Sequence, residues 1–350
     1  MPLLRWYRAH KRDLPWRRSR DPYRILLSEV MLQQTQVQTV IPYYHRFLKV
    51  FPSFRTLANA PSRKVLKQWE GLGYYSRARN LQALAKLVQA RPDHSLPATY
   101  REIIQLPGIG RYTAGAVLSI AFDQDYPVVD GNVQRVLARV FGMNKDITRP
   151  QTREWFWKAA AVLLPRGKSG DYNQAIMELG ALVCTPKNPR CPQCPVRSIC
   201  IARKTGRQNE LPLRKKKAAL PHEHIGAGII WNNGRILISQ RPSKGLLGGL
   251  WEFPGGKCER GETLPHCVSR EIREELGIRI TVGSKMAEVK HAYSHFKITL
   301  HAYHCRYRGG TPKALGVQAW RWVRPHQLQK YPFPASNQPI IRKLLGQREK

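Results

Sequence analysis

Three groups of side chains in this sequence have the types and spacing of reactive sites. Four of its seven cysteines, Cys184, Cys191, Cys194 and Cys200, crowd into CTPKNPRCPQCPVRSIC with the spacing C-x6-C-x2-C-x5-C. Seven unevenly placed cysteines do not make a disulfide scaffold, so four clustered thiols point to a metal. Zinc sites more often show two close pairs, and here only one pair is close; spacing alone leaves zinc and an iron–sulfur cluster both open. Cys258, Cys267 and Cys305 are scattered and read as plain thiols. The second group is two carboxylates. Glu29 lies in RILLSEVMLQQTQ among Ile25, Leu26, Leu27, Val30, Met31 and Leu32. Desolvation there would raise its pKa and suit it to general acid work, whereas a solvated helix position would leave it inert. Asp130 lies in YPVVDGNVQRVLARV, where it is either a helix N-cap or the partner of that acid. The third group is Glu271, Glu274 and Glu275, at i, i+3 and i+4 on one face of a predicted helix, able to hold a divalent cation.

The elements that carry these groups follow from the pattern. LPGIGRYTAGAVLS, residues 106–119, reads as a tight hairpin that delivers free backbone N–H groups at a helix N-terminus, a ready anion site. The plain alternative is an ordinary helix connection with glycine for geometry. Helical periodicity recurs in ILLSEVMLQQTQVQTVI, SRARNLQALAKLV and NVQRVLARVFG, whereas IGAGIIWNNGRILISQR reads as a β-hairpin turning at Asn-Gly. Between them RKTGRQNELPLRKKKAALPH, residues 203–222, has seven Lys or Arg against one Glu and no period. The sequence therefore predicts an all-α domain over 1–205, a basic linker over 206–222 and an α/β domain over 223–350. A chain of 350 residues accommodates that, and its formal charge of +36 calls for a polyanionic partner, nucleic acid first. An anionic membrane is the rival, but the chain has no long apolar run, signal peptide or lipidation motif. A soluble, cytoplasmic monomer is expected.

LPGIG before a helix, VVDGNVQRVLAR and the downstream cysteine spacing together resemble the helix-hairpin-helix DNA glycosylases, which carry a [4Fe–4S] cluster of that spacing. WYRAHKRDLPWR, SEVMLQQTQVQTV, GLGYYSRARNL and NQAIMELGALVC are similar to one branch of them, the A/G-specific adenine DNA glycosylases of the MutY type. The resemblance covers residues 3–205 and implies excision, in base excision repair, of adenine mispaired with 8-oxoguanine or guanine in duplex DNA. It implies Glu29 as general acid and base and Asp130 as the group that stabilises or traps the oxocarbenium-like sugar, with Tyr112 and Asn132 in support. It places the cluster on Cys184, Cys191, Cys194 and Cys200, in a loop spanning 184–200. Arg12, Leu14, Trp16, Arg17 and Gln174 would line the adenine pocket; for Trp16 a plain core aromatic is the alternative. Gln34 and Tyr74 would fill or wedge the base stack beside Thr35 and Leu72, and Leu106, Gly108 and Gly110 would hold a phosphate. Where lyase-active relatives carry lysine, this chain has Tyr112, which forms no Schiff base, so strand cleavage is not expected.

Gly256 to Ile278 also match the full Nudix signature, G-x5-E-x7-R-E-U-x-E-E-x-G-U. The C-terminal domain of adenine glycosylases resembles a Nudix hydrolase in fold and serves to recognise 8-oxoguanine. HAYSHFKI resembles that family's Phe-Ser-His reading loop, with Tyr293, Ser294 and His295 in place. Many members have a degraded box, so an intact one keeps a second function class open: a nucleotide pyrophosphohydrolase with metal on Glu271, Glu274 and Glu275. A third class, a non-catalytic mismatch binder, is disfavoured because both glycosylase carboxylates are present.

Overall fold

In the computed structural model, residues 1–215 and 219–346 are described, and they form two compact units. One comprises Met1–Asn59 and Asn80–Lys217; the other comprises Ala60–Arg79 and Ala218–Lys350. The first is all helical. Its core gathers Leu3, Leu4 and Tyr7 with Val133, Val136 and Leu137 and with Ala175, Ile176 and Leu179. Asp21 starts the helix Pro22–Leu32 by accepting the Arg24 N–H at 3.0 Å, with proline in the first turn where its missing donor costs nothing. Eight residues of that helix, Tyr23 and Ile25 to Met31, are buried, so it runs through the core and carries Glu29 inside with it. The hairpin before the helix Arg111–Ala121 needs Gly108 at φ +77°, in the left-handed region, and a Cβ there would also stand 2.8 Å from Asn80 Cβ. Gly180, in the helix Ser169–Leu182, lets that helix approach Asn132 so closely that a Cβ would stand 2.6 Å from the Asn132 Cβ.

The second unit is a mixed sheet of β1 (His222–Asn232), β2 (Arg235–Gln240), β3 (Trp251–Glu252), β4 (Gly255–Lys257), β5 (Arg279–Ala292), β6 (Lys297–Gly309) and β7 (Ala319–Val323). The order is β3-β2-β1-β6-β5, with β4 paired to β1 and β7 to β2. Asn233 and Gly234, both at positive φ, make the β1–β2 turn that the Asn-Gly pair predicts. The helix Leu264–Leu276 covers one face through Val268, Ile272 and Leu276; Ile340 and Ile341 of the helix Gln338–Leu344 cover the other.

Two stretches fold differently from the boundaries expected in the sequence. Ala60–Arg79, within the expected 1–205 domain, packs in the second unit. There the Glu70 carboxylate accepts from the Phe333 N–H (2.8 Å) and from Gln338 (3.0 Å), and Lys67 donates to the Tyr331 carbonyl. The expected linker 206–222 is anchored at its start: Leu211 is buried, its carbonyl accepts from Arg139, and the Leu213 carbonyl accepts from the Ile147 N–H. The other end of that stretch, His222, opens β1. Residues 216–218 of the linker lie outside the described residues. Among the described residues no helix is long and apolar enough to cross a membrane.

Candidate active site

A cleft of about 700 Å³ opens in the helical unit, and Glu29, Tyr112, Asp130 and Asn132 all line it. Glu29 is only 6% exposed. Burial pushes its pKa up to about 7; the negative charge of Asp130 pushes the same way, against a hydrogen bond from Tyr112 and the charge of Arg17. The Tyr112 hydroxyl donates to Glu29 Oε2 at 2.8 Å. Asp130 is the N-cap of the helix Gly131–Val140, its Oδ1 accepting the Val133 N–H at 2.7 Å. Its Oδ2 accepts from the Asn132 amide at 2.8 Å. Burial raises the Asp130 pKa as well, but these two donors favour the carboxylate and work against the rise. Asp130 therefore caps a helix and lines the cleft with the same side chain. Arg135 in turn donates to Asn132 Oδ1 (2.7 Å), to the Gly180 carbonyl (2.8 Å) and to the Cys184 carbonyl (2.7 Å), so Asn132 has one orientation available.

The pocket residues named from the sequence largely converge. Arg12, Leu14, Trp16, Arg17 and Gln174 line the same cleft, as do Gln34, Thr35, Gly108 and Gly110; Leu106 does not. The first-turn N–H groups after Gly110 carry no side-chain cap. Trp16 is buried against Tyr44, edge to face, so its core role and its place in the cleft wall coexist. Sequence reasoning missed Glu178, Met177, Gln33 and Arg135. Glu178 is 1% exposed and receives both arginines: Arg12 through its backbone N–H, Nε and NH2, and Arg17 through NH1 and NH2, at 2.6–3.0 Å. A carboxylate inside AIMELGAL carries the same signal that drew attention to Glu29, but its partners lie 161 and 166 residues away.

In the second unit, Tyr74 and Ser294, 220 residues apart, are joined through their hydroxyls. Tyr74 sits at φ +48°, and in the helical unit Gln34 sits at φ +56°; both proposed stack-filling residues hold a strained left-handed backbone, as functional positions often do. Arg77 stacks over both Tyr74 and Trp69 and donates to the Leu72 and Gly73 carbonyls, which clamps the turn. Leu72 is buried. The Tyr293 ring stacks on Phe296 at 4.8 Å and its hydroxyl pairs with Ser336 at 3.2 Å, whereas Ser294 and His295 are exposed. The hydroxyl that distinguishes Tyr293 from phenylalanine therefore anchors the loop.

The intact box is engaged internally. Arg270 donates to Glu262, Glu271, Glu274 and the Lys257 carbonyl. Glu275 is pushed up to about 8 by burial and by the charge of Glu252. Among the described residues no three His, Cys, Asp or Glu side chains converge on a single-ion position, at these glutamates or elsewhere. The four clustered cysteines are free thiols that line one common cavity. Arg139, 2% exposed, reaches the same place: its NH1 donates to Cys184 Sγ (3.3 Å) and to the Thr185 carbonyl (2.7 Å), and its NH2 to the Pro186 carbonyl.

Known proteins resemble both units. Residues 27–161 match the family model of the HhH-GPD superfamily base excision DNA repair proteins, and residues 226–343 match the NUDIX domain. The adenine DNA glycosylase of Homo sapiens is 37% identical over 402 residues, spanning 99% of this chain and 74% of that one. That of Buchnera aphidicola subsp. Schizaphis graminum is 36% identical, spanning 85% and 84%. This chain belongs to the adenine DNA glycosylases. A thermostable thymine-DNA glycosylase superposes on 58% of the chain and 94% of its own, with a TM-score of 0.54 and 31% identity. A trapped endonuclease III–DNA covalent intermediate, 22% identical, covers 58% of this chain with a TM-score of 0.50 and shares the fold. The family is one of base excision repair enzymes, and the cleft lies in the unit that carries its helix-hairpin-helix match.

Proposed function

We propose that the protein excises adenine paired with 8-oxoguanine or guanine from duplex DNA and leaves the sugar-phosphate strand whole. One observation carries the reading: a buried carboxyl with a pKa near 7, Glu29, shares a cleft with a second carboxylate held by two donors, Asp130. Two carboxyl groups whose surroundings differ in this way divide into acid and anion, the arrangement that breaks glycosidic bonds. Glu29 gives its proton to N7 of the extruded adenine, the bond from sugar to base breaks, and the electron pair leaves with the base. The cationic sugar faces the Asp130 carboxylate, which stabilises or traps it. Glu29, now ionised, takes a proton from the water that completes hydrolysis. Tyr112 keeps Glu29 in place through its hydroxyl. Tyr74 and Ser294, joined through their hydroxyls, are suited to reading the base opposite adenine.

The test is a duplex with one labelled adenine opposite 8-oxoguanine. Cleavage should require alkali or heat, and borohydride should trap little protein on the DNA. No lysine lines the cleft among the described residues, and Tyr112 forms no Schiff base. Strand breaks without alkali would refute the lyase-free reading, and intact strands after alkali would refute excision itself.

We assign a [4Fe–4S] cluster to Cys184, Cys191, Cys194 and Cys200. Four thiols lining one cavity, with the Arg139 guanidinium beside Cys184 to offset thiolate charge, fit such a group. When bound it supplies cross-links between loop segments. The reaction needs no electron transfer. Purified protein should contain iron and sulfide in near-equal amounts. Active protein with stoichiometric zinc and no sulfide would overturn the assignment.

A further inference from the structure

The cleft places a cation close to a group that must stay protonated, and something has to weaken that cation. Arg17 faces Glu29 and favours its ionised form. Left alone, Arg17 would discharge the acid. It is not alone, because both nitrogens of its fork meet the two oxygens of Glu178 at 2.9 Å. Glu178 itself is 1% exposed and anionic: burial opposes its charge, but the hydrogen bonds from Arg12 and Arg17 outweigh burial and bring its pKa down to about 2.

We infer that Glu178 is a positioning residue of the reaction: it holds both adenine-pocket arginines in one orientation and offsets part of the charge that Arg17 would otherwise present to Glu29. The inference rests on the glycosylase reading above. The other groups around the acid are accounted for. Tyr112 donates to Glu29 and lowers its pKa, and Asp130, across the cleft, raises it. Around Arg17 stand Tyr7, whose ring lies 5.5 Å from the guanidinium, and Glu178 and Glu29. Tyr7 stays neutral, its pKa pushed up to about 12 by burial, and donates to Gln174 Oε1. Arg12 is the remaining cation, and it too is spent on Glu178. Glu178 is therefore the only anion that is bonded to Arg17 among the described residues.

A purely structural Glu178 would lower the rate at every pH alike. An electrostatic one moves the pH profile, and the sign follows from which charge is removed. Excision needs protonated Glu29, so the single-turnover rate falls as pH rises through the Glu29 pKa, about 7 in the unaltered protein. Glu178→Gln frees the Arg17 charge, favours ionised Glu29 and moves this alkaline limb down by ~1 unit or more. Arg17→Met removes the cation, leaves Glu178 paired with Arg12 and moves the limb up. The pair of opposite shifts is the expected result, read as single-turnover excision from an adenine:8-oxoguanine duplex between pH 5 and 9. Thermal melting checks folding, and if Glu178→Gln does not fold, Glu178→Asp decides, because a shortened carboxylate cannot hold both arginines and should also move the limb down. Limbs that stay in place in both folded variants would overturn the inference. Unaltered protein that excises nothing would instead sink the glycosylase reading, which keeps the two failures apart.

Discussion

Glu29→Gln and Asp130→Asn should each lower single-turnover adenine excision by ~10²–10³-fold or more, because each removes an interaction made at the reacting bond. Both replacements keep the shape of the side chain, so binding to the mismatched duplex should survive. Folding separates this outcome from trivial loss. The Glu29 pKa is about 7 in the folded protein against an ordinary glutamate value of 4.5, raised first by burial. Between those pH values the unfolded chain ionises Glu29 while the folded protein keeps the proton, so stability is lost as pH rises across that window. Glutamine removes that penalty. Glu29→Gln should therefore melt at least as high as the unaltered protein at pH 7 despite that loss of excision, and near-normal excision by either variant would end the assignment. Asp130→Asn retains an N-cap oxygen for the Val133 N–H, so its helix should persist too.

Arg139→Met should cost about 3 kcal/mol or more, the range for losing several hydrogen bonds to a charged group that leave their acceptors buried. Arg139 is 2% exposed in the helix Gly131–Val140 and donates to three carbonyls, of Thr185, Pro186 and Leu211, and to Cys184 Sγ. Those acceptors belong to the cysteine loop and to the start of the segment that follows it. Methionine fills the space of the stem but satisfies none of them. The expected result is a lower melting temperature together with less iron per protein after purification. The effect should reach catalysis only indirectly, because the neighbour that faces Asn132 is Arg135 and not Arg139. A variant with unchanged melting and full iron would show that the loop closes without this anchor.

Local pattern carried most of the site. An acidic residue inside an apolar helical run announced Glu29, and burial of eight residues of that helix is what makes its pKa unusual. Cysteine spacing announced the loop, and the four thiols line one cavity. Asn-Gly between β-branched runs announced the β1–β2 hairpin, since few residue pairs tolerate two positive φ angles in succession. Other features depend on residues far apart in the chain, which no local period encodes. Glu178 carries the same local signal as Glu29, but its role depends on Arg12 and Arg17, which come from the other end of the unit. The intact box left a divalent-metal site open as an alternative, and folding gives Glu271 and Glu274 to Arg270 and buries Glu275 near Glu252.

Residues Ala60–Arg79 illustrate the same limit at the scale of a domain. Their helical period and their motif GLGYY sit inside the helical stretch of the sequence, yet Glu70 bonds to Phe333 and Gln338, and Tyr74 meets Ser294. The sequence by itself determined the family and the two kinds of domain, and it singled out the carboxylates and thiols that the fold gathers in one cleft and one cavity. Tertiary structure alone decided their charge states and partners. A pKa or a buried hydrogen bond depends on what surrounds a group in space, and those surroundings are assembled from segments that the chain order keeps apart.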